Sequence, residues 1–167
     1  MRSVLPSHVA VVLGAGDGWE ASRLAANGAR VVATDRKPQP VGLPPSVEWN
    51  TGTIEAWLAG QAPDFKADAF LVRNGLPFME KSWLTGTLFP ALAALTSTGG
   101  IVAIETYHKA PTPTFQGIKA LFSAAELKAA FPGWEVLREE EVTEQTSEAA
   151  KTARTFFLSR IIARKQA

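Results

Sequence analysis

A chain of 167 residues is long enough for one domain with a buried core and too short for two. Its 17 Lys and Arg against 16 Asp and Glu give a formal net charge of +1, which excludes a dedicated nucleic-acid surface. The absence of cysteine excludes a disulfide scaffold, a thiolate metal site and a cysteine nucleophile, and two histidines are too few for a histidine zinc site. No apolar stretch reaches the ~18 residues of a membrane span. The start, "MRSVLPSHVAVVLGAG", has no signal-peptide pattern, because its apolar part runs directly into a glycine turn. These features read as a soluble cytoplasmic protein, a single domain over residues 1–167, with no nucleic-acid, membrane or metal partner.

Strand and helix patterns alternate along the chain. "HVAVVLG" (8–14) is continuously apolar, the mark of a strand buried on both faces. Residues 17–26 carry Ala21, Leu24 and Ala25 at helical spacing, and Asn27-Gly28 supplies a stop. "ARVVATD" (29–35) completes a βαβ unit whose short connections imply parallel strands. The four prolines of "RKPQPVGLPP" (36–45) forbid a regular helix. Strands are predicted over 46–51 and 66–75, with one or two helical turns over 53–60 between them. A helix is predicted over 79–95, kinked at Pro90. "GGIVAIETY" (99–107) is another buried strand. Ser123, three residues before Glu126, forms a capping box for a helix over 123–131.

Two strands close the chain, over 133–142 and 153–165. The charged segment between them is too short for a helical crossover, so they are antiparallel. The run "FFLSRII" is apolar on both faces except at Ser159 and Arg160, which places it inside the sheet. The "REEE" run (138–141) reads as a solvated strand edge. The predicted fold is α/β, Rossmann-like and doubly wound: a mostly parallel sheet with one antiparallel strand near its C-terminus.

The chemistry concentrates in "VVLGAGDGWEASRLAANGARVVATD" (11–35). A strand, a glycine turn and a helix start place backbone N–H groups around a small concave space. Asp35 ends the neighbouring strand, where a carboxylate can accept hydrogen bonds from both hydroxyls of a ribose. That arrangement suits any adenosine cofactor. Dinucleotide folds favour G-x-G-x-x-G, but Trp19 occupies the third-glycine position here, giving G-x-G-x-G with Asp17 inside the turn. A pyrophosphate would meet Asp17 unfavourably, whereas the ammonium group of a methionine-derived ligand would not.

This segment resembles motif I and the following strand of class I S-adenosylmethionine-dependent methyltransferases. The resemblance continues through "DAFLVRNGLPF" and "FPALAALTSTGGIVAIETY", and "LFSAAELKAAFPGWEVLREEE" is similar to the small tellurite-resistance-type subgroup. It implies a methyltransferase that uses S-adenosylmethionine on a small-molecule acceptor. The alternatives are a non-catalytic binding protein on the same fold and, third, an NAD(P)-dependent oxidoreductase. Carried across, Gly14, Ala15, Gly16, Asp17 and Gly18 would lie by the methionine and ribose, Asp35 on the ribose hydroxyls and Arg36 beside the adenine. Thr53 stands where the family often has an acid near the adenine amino group, with Ile54 packing on the ring. Arg73, Asn74 and Gly75 would lie near the methionine. Tyr107 and His108 are the catalytic candidates, as an orienting group and a proton acceptor. The family's usual helical segment before the first strand is not evident, which implies either an open site or one covered by a second copy in a homo-oligomer.

Overall fold

The computed structural model describes residues 8–62, 64–73, 75–114, 116–146 and 153–167. Seven strands form one sheet in the order β3-β2-β1-β4-β5-β7-β6. The strands are β1 (Val9–Leu13), β2 (Arg30–Asp35), β3 (Val47–Thr51), β4 (Ala67–Val72), β5 (Thr96–Thr112), β6 (Glu135–Gln145) and β7 (Thr155–Arg164). The first five pair in parallel, and β7 runs antiparallel between β5 and β6. The chain therefore winds one way from β1 to β3 and the other way from β4 onward. The resulting switch point lies between β1 and β4, and open α/β sheets bind ligands at the C-terminal strand ends of such a point.

Two packing layers hold the sheet. On one face Val11, Leu13, Phe70, Val72, Val102, Ile104 and Ile161 meet α2 (Ile54–Ala59), α4 (Phe89–Leu95) and α5 (Ala124–Ala129) through Trp57, Phe89, Leu92 and Leu127, with Phe131 just beyond α5 in the same cluster. Each fully buried side chain of this size contributes about 1.5–3 kcal/mol of transfer free energy. On the other face Val12, Val31, Ala33 and Val47 meet Ala21 of α1 (Trp19–Ala26). The proline-rich 36–45 stretch forms no helix, as its composition requires; Leu43 packs onto this second cluster instead.

The predicted helix over 79–95 has three parts. A short α3 (Lys81–Trp83) leads into a π-helical turn (Leu84–Leu88) and then α4. Pro90 has no N–H to donate, and its ring would crowd the carbonyl four residues back. The wide turn just before it relieves that conflict, with Phe89 N–H donating to Leu84. The predicted capping box is formed in full: Ser123 accepts from Glu126 N–H while the Glu126 carboxylate accepts from Ser123 N–H. β5 runs well beyond the predicted 99–107, because its pairing with β7 continues through two register shifts to Thr112 and Thr155. No helix among the described residues is long and apolar enough to cross a membrane.

Candidate functional site

The glycine turn at the switch point is built by hydrogen bonds from its own backbone. Gly14 and Ala15 N–H both donate to the carbonyl of Thr34 at 2.9 and 3.0 Å, which ties the turn to β2. Gly14, Gly16 and Gly18 all have positive φ, the left-handed region in which a side chain is strained. Their surroundings differ. A Cβ on Gly14 would overlap the carbonyl oxygen of Arg73 at the end of β4, so this glycine is needed for strand packing. A Cβ on Gly18 would strike Leu43 at 2.8 Å, so this glycine admits the proline-rich segment. A Cβ on Gly16 would meet nothing within 4 Å. It would project into a cleft.

That cleft has a volume of about 530 Å³ and is lined by Gly14, Gly16, Thr34 and Asp35 on the β1–β2 side. Arg36, Lys37, Gly52, Thr53, Ile54, Glu55, Gly75, Phe78, Met79, Glu80 and Lys119 complete its lining. Asp35 is held in place from two directions: Gly16 N–H donates to its Oδ2 at 2.8 Å and Lys37 N–H to its Oδ1 at 2.9 Å. Each oxygen keeps a further lone pair for a ligand hydroxyl. Thr53 is the N-cap of α2, its hydroxyl oxygen accepting from Ala56 N–H at 3.1 Å. Its hydroxyl hydrogen remains available to the cleft. Ile54 is buried, and its Cδ1 lies 3.4 Å from where a Cβ on Gly75 would stand.

The sequence-predicted residues thus divide. Gly14, Gly16, Asp35, Arg36, Thr53, Ile54 and Gly75 meet around one cleft. Ala15 is buried in the core, Asp17 is exposed with its Oδ1 accepting from Trp19 N–H, and Gly18 faces Leu43. None of these three lines the cleft. Asn74 lies outside the described residues. Tyr107 and His108 also stand away from the lining. Tyr107 packs against Phe156, and burial, then the charge of Glu105, push its phenol up, so it is protonated at neutral pH. His108 meets Phe157 edge-on, with Nδ1 4.0 Å from Glu141.

Arg73 is turned away into an ion-pair chain that the sequence reading did not find. Its guanidinium donates to Glu20 and, through Nε and Nη2 at 3.0 and 2.8 Å, to one oxygen of Glu105. The other oxygen of Glu105 accepts from Arg160 at 2.5 Å, and Arg160 reaches on to Glu140 and Glu144. The usable signal is cross-strand register: Glu105 pairs with Arg160, which in turn pairs with Glu140. The side chain of Glu105 is 14% exposed and bridges both arginines. Glu105→Gln is therefore expected to cost about 1–2 kcal/mol, between an exposed pair and a fully buried one. Urea denaturation measures it; an unchanged midpoint would show the chain of charges to be idle.

No known protein-family pattern matches the sequence, and no curated protein matches it either. The fold does have close counterparts. Its strand order and antiparallel end are those of the class I methyltransferase fold. TehB from Haemophilus influenzae superposes with a TM-score of 0.77 at 16% identity, over 98% of this chain and 59% of that one. A Burkholderia thailandensis 1,6-didemethyltoxoflavin-N1-methyltransferase, solved with bound 1,6-didemethyltoxoflavin and S-adenosylhomocysteine, gives 0.69 at 17% identity over 96% and 72%. A SAM-dependent methyltransferase from Archaeoglobus fulgidus gives 0.72 at 13% identity over 95% and 86%. The chain thus spans less than two thirds of TehB but more of the other two. Among the described residues no group of three or more His, Asp or Glu side chains could hold a metal ion.

Proposed function

We propose that this protein is an S-adenosylmethionine-dependent methyltransferase acting on a small molecule. The observation that carries the reading is the pairing of Gly16 with Asp35. A glycine whose missing side chain would enter the cleft stands hydrogen-bonded to a carboxylate whose remaining lone pairs face the same space. These residues fit an adenosine-bearing ligand. Asp35 would accept from the ribose hydroxyls, Thr53 would donate toward the adenine, and Ile54 and Arg36 would hold the ring. The Gly14–Gly16 backbone and Gly75 leave room for the methionine part. When bound, S-adenosylmethionine supplies a methyl group on a sulfonium: a lone pair of the acceptor forms the new bond to carbon while the carbon–sulfur pair returns to sulfur. The chain's part is to align the two reactants and exclude water, which for such a displacement supplies much of the acceleration. Tyr107 and His108 have no role in this proposal, since neither lines the cleft.

Calorimetry with S-adenosylhomocysteine and NAD in parallel tests the reading. The first should bind and the second should not. Tighter binding of NAD would replace the methyltransferase by an oxidoreductase. Asp35→Ala should weaken S-adenosylhomocysteine by about 1.5–3 kcal/mol, the range for hydrogen bonds to a charged group. An unchanged dissociation constant in the folded variant would remove Asp35 from the ligand.

A further inference from the structure

The cleft lining carries an ion pair, Lys119 with Glu80, that the cofactor does not account for. Lys119 Nζ lies 2.7 Å from Glu80 Oε1, with the two side chains 50% and 65% exposed. The segment bearing Lys119 is anchored where it matters: Lys119 and Ala120 N–H both donate to the carbonyl of Pro77, at 2.7 and 3.1 Å. Pro77 belongs to the 3-10 turn Leu76–Phe78, directly before Met79 and Glu80. Phe78, Met79, Glu80 and Lys119 therefore sit together in the lining of the cleft that also holds Asp35 and Thr53. Phe78 is 39% exposed and lines the cleft.

Charge decides what this part of the lining would receive. The cleft lining holds three cations, Arg36, Lys37 and Lys119, against three anions, Asp35, Glu55 and Glu80, and so is neutral. S-adenosylmethionine carries a sulfonium, an ammonium and a carboxylate, so the loaded cleft is cationic. An anionic acceptor restores neutrality; a cationic one adds repulsion. Lys119 has three N–H donors and uses one on Glu80, leaving two for an incoming anion. Because the pair is exposed, it is weak and cheap to open. Phe78 and Met79 offer apolar contact that a bare inorganic ion cannot use, whereas an aromatic or aliphatic body can.

We propose that Lys119, with Phe78 and Met79, recognises the methyl acceptor as a small organic carboxylate, and that Glu80 is an internal competitor for Lys119. This assignment rests on the reading of the cleft as an S-adenosylmethionine site. Glu80 lowers the affinity for stray anions and is displaced by one whose body also fills the apolar wall.

The test is calorimetric titration of the protein saturated with S-adenosylhomocysteine, whose uncharged thioether removes the sulfonium's attraction so that the probes report Lys119 itself. The probes are benzoate, its neutral analogue benzamide, and inorganic phosphate. Benzoate should bind at least about tenfold more tightly than benzamide or phosphate. Lys119→Met should reduce benzoate to the level of benzamide while S-adenosylhomocysteine binds as before. Glu80→Gln should tighten benzoate by up to about fivefold, the reach of an exposed ion pair. Equal binding of benzoate and benzamide, or no effect of Lys119→Met, would overturn the assignment and leave the cofactor reading standing. Phosphate binding as tightly as benzoate would overturn the organic acceptor, and weaker benzoate binding by Glu80→Gln would overturn the competitor role. Failure of S-adenosylhomocysteine itself to bind would defeat both readings.

Discussion

Gly16→Val should abolish S-adenosylhomocysteine binding, by at least about 100-fold, in a protein that still folds. The turn has φ +60 at this residue, and a β-branched side chain is a genuine outlier there. The added methyl groups also enter the cleft, since nothing in the protein lies within 4 Å of the new Cβ. A third effect follows from the hydrogen bond to Asp35. As the backbone shifts to relieve φ, the Gly16 N–H leaves Oδ2 and the carboxylate loses its orientation. Gly16→Ala is the milder control, with about 1–2 kcal/mol of left-handed strain. Far-ultraviolet circular dichroism reports the fold and titration reports the affinity. Retained affinity in folded Gly16→Val would show that this turn does not cradle the ligand.

Gly14→Ala should do the opposite, striking stability first. Its Cβ would overlap the Arg73 carbonyl, which belongs to backbone and has no side-chain freedom with which to yield. Overpacking of this kind costs about 1–3 kcal/mol, and φ +77 adds about 1–2 kcal/mol for an L-residue. The sum is a large fraction of the roughly 5–15 kcal/mol by which a domain is stable. Guanidinium unfolding should show the midpoint falling with an unchanged slope. A midpoint equal to that of the parent would mean that β1 and β4 separate at their ends without cost.

These two glycines also mark how far the sequence can be read. Apolar continuity in 8–14 and 29–35, together with the acid at 35, locates the switch point, because parallel strands buried on both faces have that composition. The interior place of β7 follows from "FFLSRII" for the same reason. A G-x-G-x-G string, however, states only that the backbone turns; it does not say which glycine faces a ligand. That depends on Arg73 and Leu43, which arrive from other parts of the chain. The acceptor wall was illegible for a related reason. The turn that carries Phe78 and the segment that carries Lys119 are joined by hydrogen bonds from Lys119 and Ala120 N–H to one carbonyl oxygen, that of Pro77, and no spacing rule announces such a contact. The family resemblance places Arg73 near the methionine, at the end of the fourth strand. Its actual partners, Glu20 and Glu105, are fixed by the sheet register and the placement of α1.

The placement of β7 governs how the molecule can be made. β5 precedes β6 in the chain, yet the two do not pair: β7, which comes last, must enter between them. Until residues 155–164 emerge from the ribosome, β5 presents an unpaired edge and β6 has no neighbour. Exposed edges of this kind invite association with other nascent chains, and long-range strand insertion is slow. β6 carries its own protection during that interval in Glu139, Glu140 and Glu141, whose like charges oppose strand addition. The same acidic run stays on the edge strand of the finished sheet, where Arg160 of the inserted strand reaches Glu140.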